Sequence, residues 1–163
     1  MLVIAGKSSL NKEKLLGLAA EIAEAGTSLR ILNASKIFGI DHIKSAFEKA
    51  VRAFEQKNNV SDSIITETML YMSGCRQIQE AFAFYSIKEN VTSIVALIDA
   101  DPASSADLIC RLKIDENDSI ISVSSSKDII AFGISSKELS TIDKKKENEL
   151  ILERVASVDI KKK

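Results

Sequence analysis

The sequence predicts an α+β fold: one domain over residues 1–163, with a small, mostly antiparallel or mixed β-sheet packed with several helices. Three observations lead there. Short β-branched runs interleave with segments of 3.6-residue apolar periodicity. Residues 40–89 carry three consecutive helical patterns and no strand, which excludes a simple alternating βαβ array. Residues 92–98, TSIVALI, are apolar on both faces, as a central strand should be.

Each element has its own signal. Residues 2–5 read as a short strand. Residues 11–25 read as a helix, with Leu15, Leu18, Ala19, Ile22 and Ala23 on one face and Gly26 just past the end. Residues 29–33 form a second strand candidate. Asp41 is placed to cap the next helix, which buries Ile43, Phe47, Ala50 and Phe54 and turns Lys44, Glu48, Lys49, Arg52 and Glu55 outward. Lys57-Asn58-Asn59 is a polar break. Two helices follow around Gly74, over residues 64–72 and 75–87, the second with Ile78, Ala81, Phe82 and Tyr85 facing the core. After TSIVALI, Asp101-Pro102 opens a helix with Asp as cap and Pro at the first helical position. Residues 119–123 are a strand candidate, and Ser126 is placed to cap a short helix stopped by Gly133. Residues 147–157 form a last amphipathic helix, and residues 158–163 a solvated tail.

Bulk properties narrow the function. A chain of 163 residues is long enough to bury roughly 68–70% of its unfolded surface. The net charge of −1 is not that of a uniformly basic nucleic-acid binder, so any such contact must be a local patch. Aromatic residues make up 5% with no Trp, which leaves no extended stacking platform. Two cysteines and one histidine cannot form a four-ligand zinc site of the usual kind. No apolar run approaches the roughly 20 residues of a membrane span. The start MLVIAGKSS lacks a basic leader, so reduced thiols and a cytoplasmic setting are expected.

Catalytic patterns are missing. There is no GxGxxG, no GxxxxGK[ST] and no GxSxG. His42 reads as a surface or capping residue at a helix start. Asp99 and Asp101 read as a turn and a cap rather than a magnesium site. Glu67, inside an apolar helical stretch, is either a buried, paired carboxylate or part of a polar face. Ser122 and Ser124–Ser126 read as turn and cap residues. Cys75 would sit in a helix first turn, where a thiol is acidified, but no base is near it in sequence. A binding protein without catalytic residues, metal or cofactor is expected.

The segment TETMLYMSGCRQIQEAFAFYSIK, residues 66–88, is the most informative. Arg76 and Gln77 fall in the opening turn of the expected second helix, where a cation is disfavoured by the helix dipole. One reading is functional. In it, the free N–H groups of the new turn and the Arg76 guanidinium together grip an anion, with Lys57 and Arg52 extending the positive rim. The other reading is structural, with Arg76 and Gln77 pairing with a carboxylate such as Glu67 or Glu80.

These residues resemble a known family, the small kinase-binding (PRPK-binding-protein-like) subunit of the KEOPS, or EKC, tRNA-modification complex, in its archaeal form. The matching residues are Asn33-Ala34, His42-Ile43 with Ala46 and Ala50, Glu67 with Leu70-Tyr71, and Ser73-Gly74-x-Arg76-Gln77-Ile78. TSIVALI, Phe132-Gly133-Ile134 and Glu153-Arg154-Val155-Ala156 continue the likeness over most of the chain. The resemblance implies a non-catalytic accessory subunit. KEOPS installs N6-threonylcarbamoyladenosine at position 37 of tRNA, with catalysis in a separate ATPase-like subunit. The implied partners are the amino-terminal lobe of the complex's small atypical kinase, an ATPase, and the single-stranded 3′ CCA end of tRNA. Carried onto this chain, Ser73, Gly74, Arg76, Gln77 and Ile78, with Lys57 on the rim, become the tRNA-binding candidates. Leu150, Ile151 and Val155 on the last helix are the kinase-binding candidates. Arg76→Glu is then expected to weaken tRNA binding and leave the fold intact. The alternative is an α+β domain that senses a phosphorylated metabolite.

Overall fold

The computed structural model describes residues 1–122, 127–143 and 146–159. It forms two compact units, Met1–Ala34 with Tyr85–Ile121, and Ser35–Phe84 with Ser122–Lys163.

The first unit is built on a four-stranded antiparallel sheet of order β2-β3-β1-β4, with β1 Leu2–Ser8, β2 Leu29–Asn33, β3 Ser93–Ile98 and β4 Ile114–Glu116. TSIVALI is central as expected: β3 pairs with β1 on one side and β2 on the other, and Ile94–Ile98 are all buried. Helices α1, Lys12–Glu24, and α5, Ser105–Leu112, add Leu15, Ile22, Leu108 and Leu112 to a core containing Ile4, Leu29, Ile94, Ala96 and Ile98. Burying each of these aliphatic side chains contributes about 1.5–3 kcal/mol. Asn11 caps α1 by accepting from the Lys14 N–H. Asp101 caps the turn at Pro102 by accepting from the Ala103 N–H, although that turn is 3₁₀ and α5 proper starts at Ser105.

The fourth strand is a correction. The expected strand near residues 119–123 is a 3₁₀ turn over Asp118–Ile121, and Val123 lies outside the described residues. The strand is Ile114–Glu116, three residues long and alternating too briefly to stand out as a pattern. It lies close against Gly6, where a Cβ would run into the Asp115 carbonyl and the Ile114 side chain.

The second unit is helical. It holds α2, Ile40–Glu55, α3, Ile64–Ser73, α4, Ile78–Phe84, α6, Ser136–Ser140, and α7, Glu147–Ser157. The three consecutive helices of the middle segment are those expected. α2 begins one residue before Asp41, with Gly39 at the cap and no side-chain cap bond. Its buried face is His42, Ile43, Ala46, Ala50 and Ala53; Phe47 and Phe54 are half-buried at its borders. Small residues on this stripe let α2 lie close against α3, whose residues 65–72 are buried all round. Phe38, Ile129, Phe132, Ile134 and Ile151 form a further cluster. Asp128 caps a 3₁₀ turn over Ile129–Phe132, and Gly133 ends it with a φ of 70°. Ser126, the residue expected to cap it, lies outside the described residues. α6 opens with a Ser135–Glu138 capping box.

Candidate functional site

Two tight turns in the second unit create the site. α2 ends in a Schellman arrangement, in which the Lys57 N–H donates to the Phe54 carbonyl and the Asn58 N–H to the Ala53 carbonyl. The left-handed position of that motif usually holds Gly, but here Lys57 occupies it with a φ of 54°. α3 ends at Gly74, with a φ of 72°. The chain then runs through Cys75, Arg76 and Gln77 before α4 starts at Ile78.

The structure therefore moves Arg76 and Gln77 out of the helix. α4 is seven residues long, not the stretch 75–87, and its first hydrogen bond runs from the Ala81 N–H to the Gln77 carbonyl. The electrostatic oddity of a cation in a helix first turn disappears. Long-range partners explain the difference: Arg76 is drawn to side chains and carbonyls far from it in sequence.

Its main partner is Glu67. The Arg76 guanidinium donates through Nη1 to Glu67 Oε1 at 3.1 Å and through Nη2 to the Asn58 carbonyl at 2.9 Å. The Glu67 side chain has no solvent exposure, against 18% for Arg76. Its other oxygen, Oε2, accepts from the Val60 and Ser61 N–H groups, both at 2.9 Å. Of the two sequence readings of Glu67, the buried and paired one holds, and Arg76 makes the structural contact. The pair ties the loop after α2 to the loop before α4. Arg76→Glu would set a second carboxylate against the buried one, so that variant is now expected to lose stability as well as any ligand contact.

A second layer surrounds the pair. The Arg76 guanidinium lies 5.4 Å from the Tyr71 ring centroid. The Tyr71 hydroxyl donates to Asp159 Oδ1 at 2.7 Å. Burial first, and then this bond to a carboxylate, push the Tyr71 phenol up to about 12, so it remains a donor. Lys49 Nζ is 3.9 Å from Asp159 Oδ2, and Arg76 Nη1 is 4.0 Å from Asp159 Oδ1. Two residues of the tail expected over 158–163 are not solvated: Val158 is buried and Asp159 is bonded; residues 160–163 lie outside the described residues. Lys49, Arg52, Ala53, Gln56, Asn58, Tyr71 and Asp159 line a cavity of about 180 Å³.

The remaining candidates divide by exposure. Lys57 and Gln77 are exposed, and Ser73, Gly74 and Ile78 are half-buried. Ser73 Oγ donates to the Leu70 carbonyl at 2.8 Å and lies 3.0 Å from Cys75 Sγ, so the thiol sits in a loop rather than a helix turn. On α7, Ile151 and Val155 are fully buried within their unit, and Leu150 is half-buried. Their apolar spacing thus serves packing at the two buried positions, and Leu150 alone of the three retains surface.

His42 is another correction: it is buried completely, not superficial. Its Nδ1 accepts from the Phe38 N–H at 3.2 Å, which leaves Nε2 protonated to donate to the Met72 carbonyl at 2.9 Å. Burial lowers its pKa from 6.5 to about 4. The ring holds α2 to the last turn of α3, one residue before Ser73. Sequence reasoning also passes over Lys49 and Asp159 as site residues. Lys49 sits among ordinary surface charges, and no local pattern joins Asp159 to Tyr71.

Among the described residues, no three His, Cys, Asp or Glu side chains gather as a metal site, and no helix is long and apolar enough to cross a membrane. The fold is α+β, and the site is organised around the ion pair of Arg76 with the buried Glu67. The chain belongs to the family described as kinase binding protein CGI-121, which it matches over residues 11–162. Comparison with curated proteins gives no match.

Proposed function

We propose that this protein is a non-catalytic accessory subunit of the KEOPS complex, which binds the amino-terminal lobe of the small atypical kinase and recruits tRNA through its 3′ CCA end. The observation that carries this reading is the kinase-binding family match over residues 11–162. The KEOPS setting, with its separate ATPase-like catalytic subunit and its threonylcarbamoyl product, follows from the resemblance in the SGxRQI segment.

The geometry suggests a division of labour at the RNA end. Arg76 and Glu67 fix the loop, Gly74 lets the chain turn there, and the exposed Gln77 amide and Lys57 ammonium face the ligand. Ser73 and Ile78 complete the rim. An amide reads a base edge, and an ammonium pairs with phosphate without sequence preference. For the kinase, Leu150 supplies the contact, with Ile151 and Val155 supporting it from beneath.

The test is co-purification with the kinase subunit together with binding to tRNA with and without its CCA end. Gln77→Ala and Lys57→Glu should weaken binding to intact tRNA severalfold and leave kinase capture unchanged. Equal binding of intact and CCA-less tRNA would refute the RNA-end assignment. Failure to retain the kinase would refute the subunit assignment.

A further inference from the structure

The cavity beside Arg76 is lined by donors suited to an anion, and its one acidic residue is Asp159. The Tyr71 hydroxyl, Lys49 and Arg76 converge on that carboxylate at 2.7, 3.9 and 4.0 Å. Arg52 lines the same cavity with 64% of its side chain exposed and a long 3.8 Å approach to Glu48. The cavity lining itself supplies an ammonium from Lys49, a guanidinium from Arg52 and a phenol from Tyr71, a donor set that binds phosphate oxygens through charge-assisted hydrogen bonds, while Arg76, held by Glu67 and the Asn58 carbonyl, adds its charge from beside it. Asp159 lies beyond the last residue of α7, Ser157, so its side chain can leave without unwinding a helical turn.

We infer that this cavity is a phosphate subsite and that Asp159 is its resident anion, displaced when a phosphate group enters. The identity of the phosphate as part of an RNA end rests on the function proposed above; the subsite itself does not. A phosphate there keeps the partners of Asp159 and adds Arg52. The resident carboxylate therefore sets a threshold, since an entering anion must outcompete it.

The experiment uses two probes, inorganic pyrophosphate by calorimetry and a short single-stranded RNA ending in CCA by fluorescence anisotropy. Wild type, Asp159→Asn and Lys49→Ala are compared, with thermal melting to confirm folding. Asp159→Asn keeps an acceptor for Tyr71 and removes the charge. It should bind pyrophosphate about fivefold more tightly than wild type, because the entering anion no longer competes with a resident charge for Lys49 and Tyr71. Lys49→Ala should bind it about fivefold more weakly. Pyrophosphate binding by Asp159→Asn that is unchanged, weaker or absent overturns the inference, even if RNA binds well. Tighter pyrophosphate binding without RNA binding by any protein supports the subsite and removes the RNA-end reading.

Discussion

Replacing Arg76 with Ala separates a residue that holds the loop from one that holds a ligand. In the structure, Arg76→Ala removes the cation from a carboxylate with no solvent exposure and strips the Asn58 carbonyl of a charged donor. Removing one partner of a buried ion pair costs about 3–5 kcal/mol. Two features reduce this. Glu67 keeps the Val60 and Ser61 N–H donors, and the Arg76 side chain is 18% exposed, so water reaches the vacated space. The expected loss is therefore about 2–3 kcal/mol, or roughly 4–12 °C in melting temperature for a chain of this size. Urea unfolding of wild type, Arg76→Ala, Glu67→Gln and the double variant would measure it. The cycle should return a coupling energy of about 1–3 kcal/mol. Arg76→Lys should recover only part of the loss, because an ammonium is a point charge and cannot span Glu67 and the Asn58 carbonyl as a planar fork does. An Arg76→Ala protein within about 0.5 kcal/mol of wild type, yet about tenfold weaker for CCA-ended RNA, would refute the structural role assigned to this pair.

Three further outcomes are expected. His42 has an ordinary value of 6.5 unfolded and about 4 folded, so on acidification the unfolded state takes up the proton first. Stability held above pH 6.5 should fall by about 3 kcal/mol as the pH drops to 4; urea midpoints in His42→Leu should lose this part of the pH dependence, and a single imidazole resonance titrating near 6.5 would contradict the burial. Gly6→Ala should destabilise the sheet by about 2 kcal/mol or more, because the methyl collides with the β4 backbone; thermal melting checks it. Lys57→Gly should stabilise the protein by about 0.5–1 kcal/mol by relieving a left-handed residue, while weakening CCA-ended RNA in anisotropy titrations if the ammonium faces the ligand.

What is legible in the sequence is what neighbouring residues decide. TSIVALI announces the central strand, Asp101 announces a cap, and apolar patterning locates α1, α2, α3 and α7 within a residue or two. β4 is hidden because three residues carry no period, and it exists through pairing with β1. α4 is overextended because the apolar pattern over residues 75–87 reads as helix while Arg76 is held outside it. His42 looks superficial beside Asp41, yet its ring bonds to Phe38 on one side and to Met72 on the other. The α+β class survives these errors because it depends on which elements exist, not on where each one stops.

The candidate site is half legible for the same reason. The motif names Arg76, but the partners that give it meaning are Glu67, nine residues back, and Asn58, eighteen back. The Glu67 carboxylate accepts two backbone N–H bonds besides the Arg76 guanidinium, so the loop orients it as well as the cation. That sharing matters for interpreting the SGxRQI segment. Residues of fixed type at fixed spacing need not all touch a ligand; one subset builds the turn and another uses it. Gly74 and Arg76 belong to the first by φ and by ion pair, and the exposed Gln77 is the residue proposed for the second. A binding defect in an Arg76 variant therefore cannot be assigned to ligand contact until the accompanying loss of stability is measured. Gln77→Ala, which breaks no ion pair, tests the surface directly.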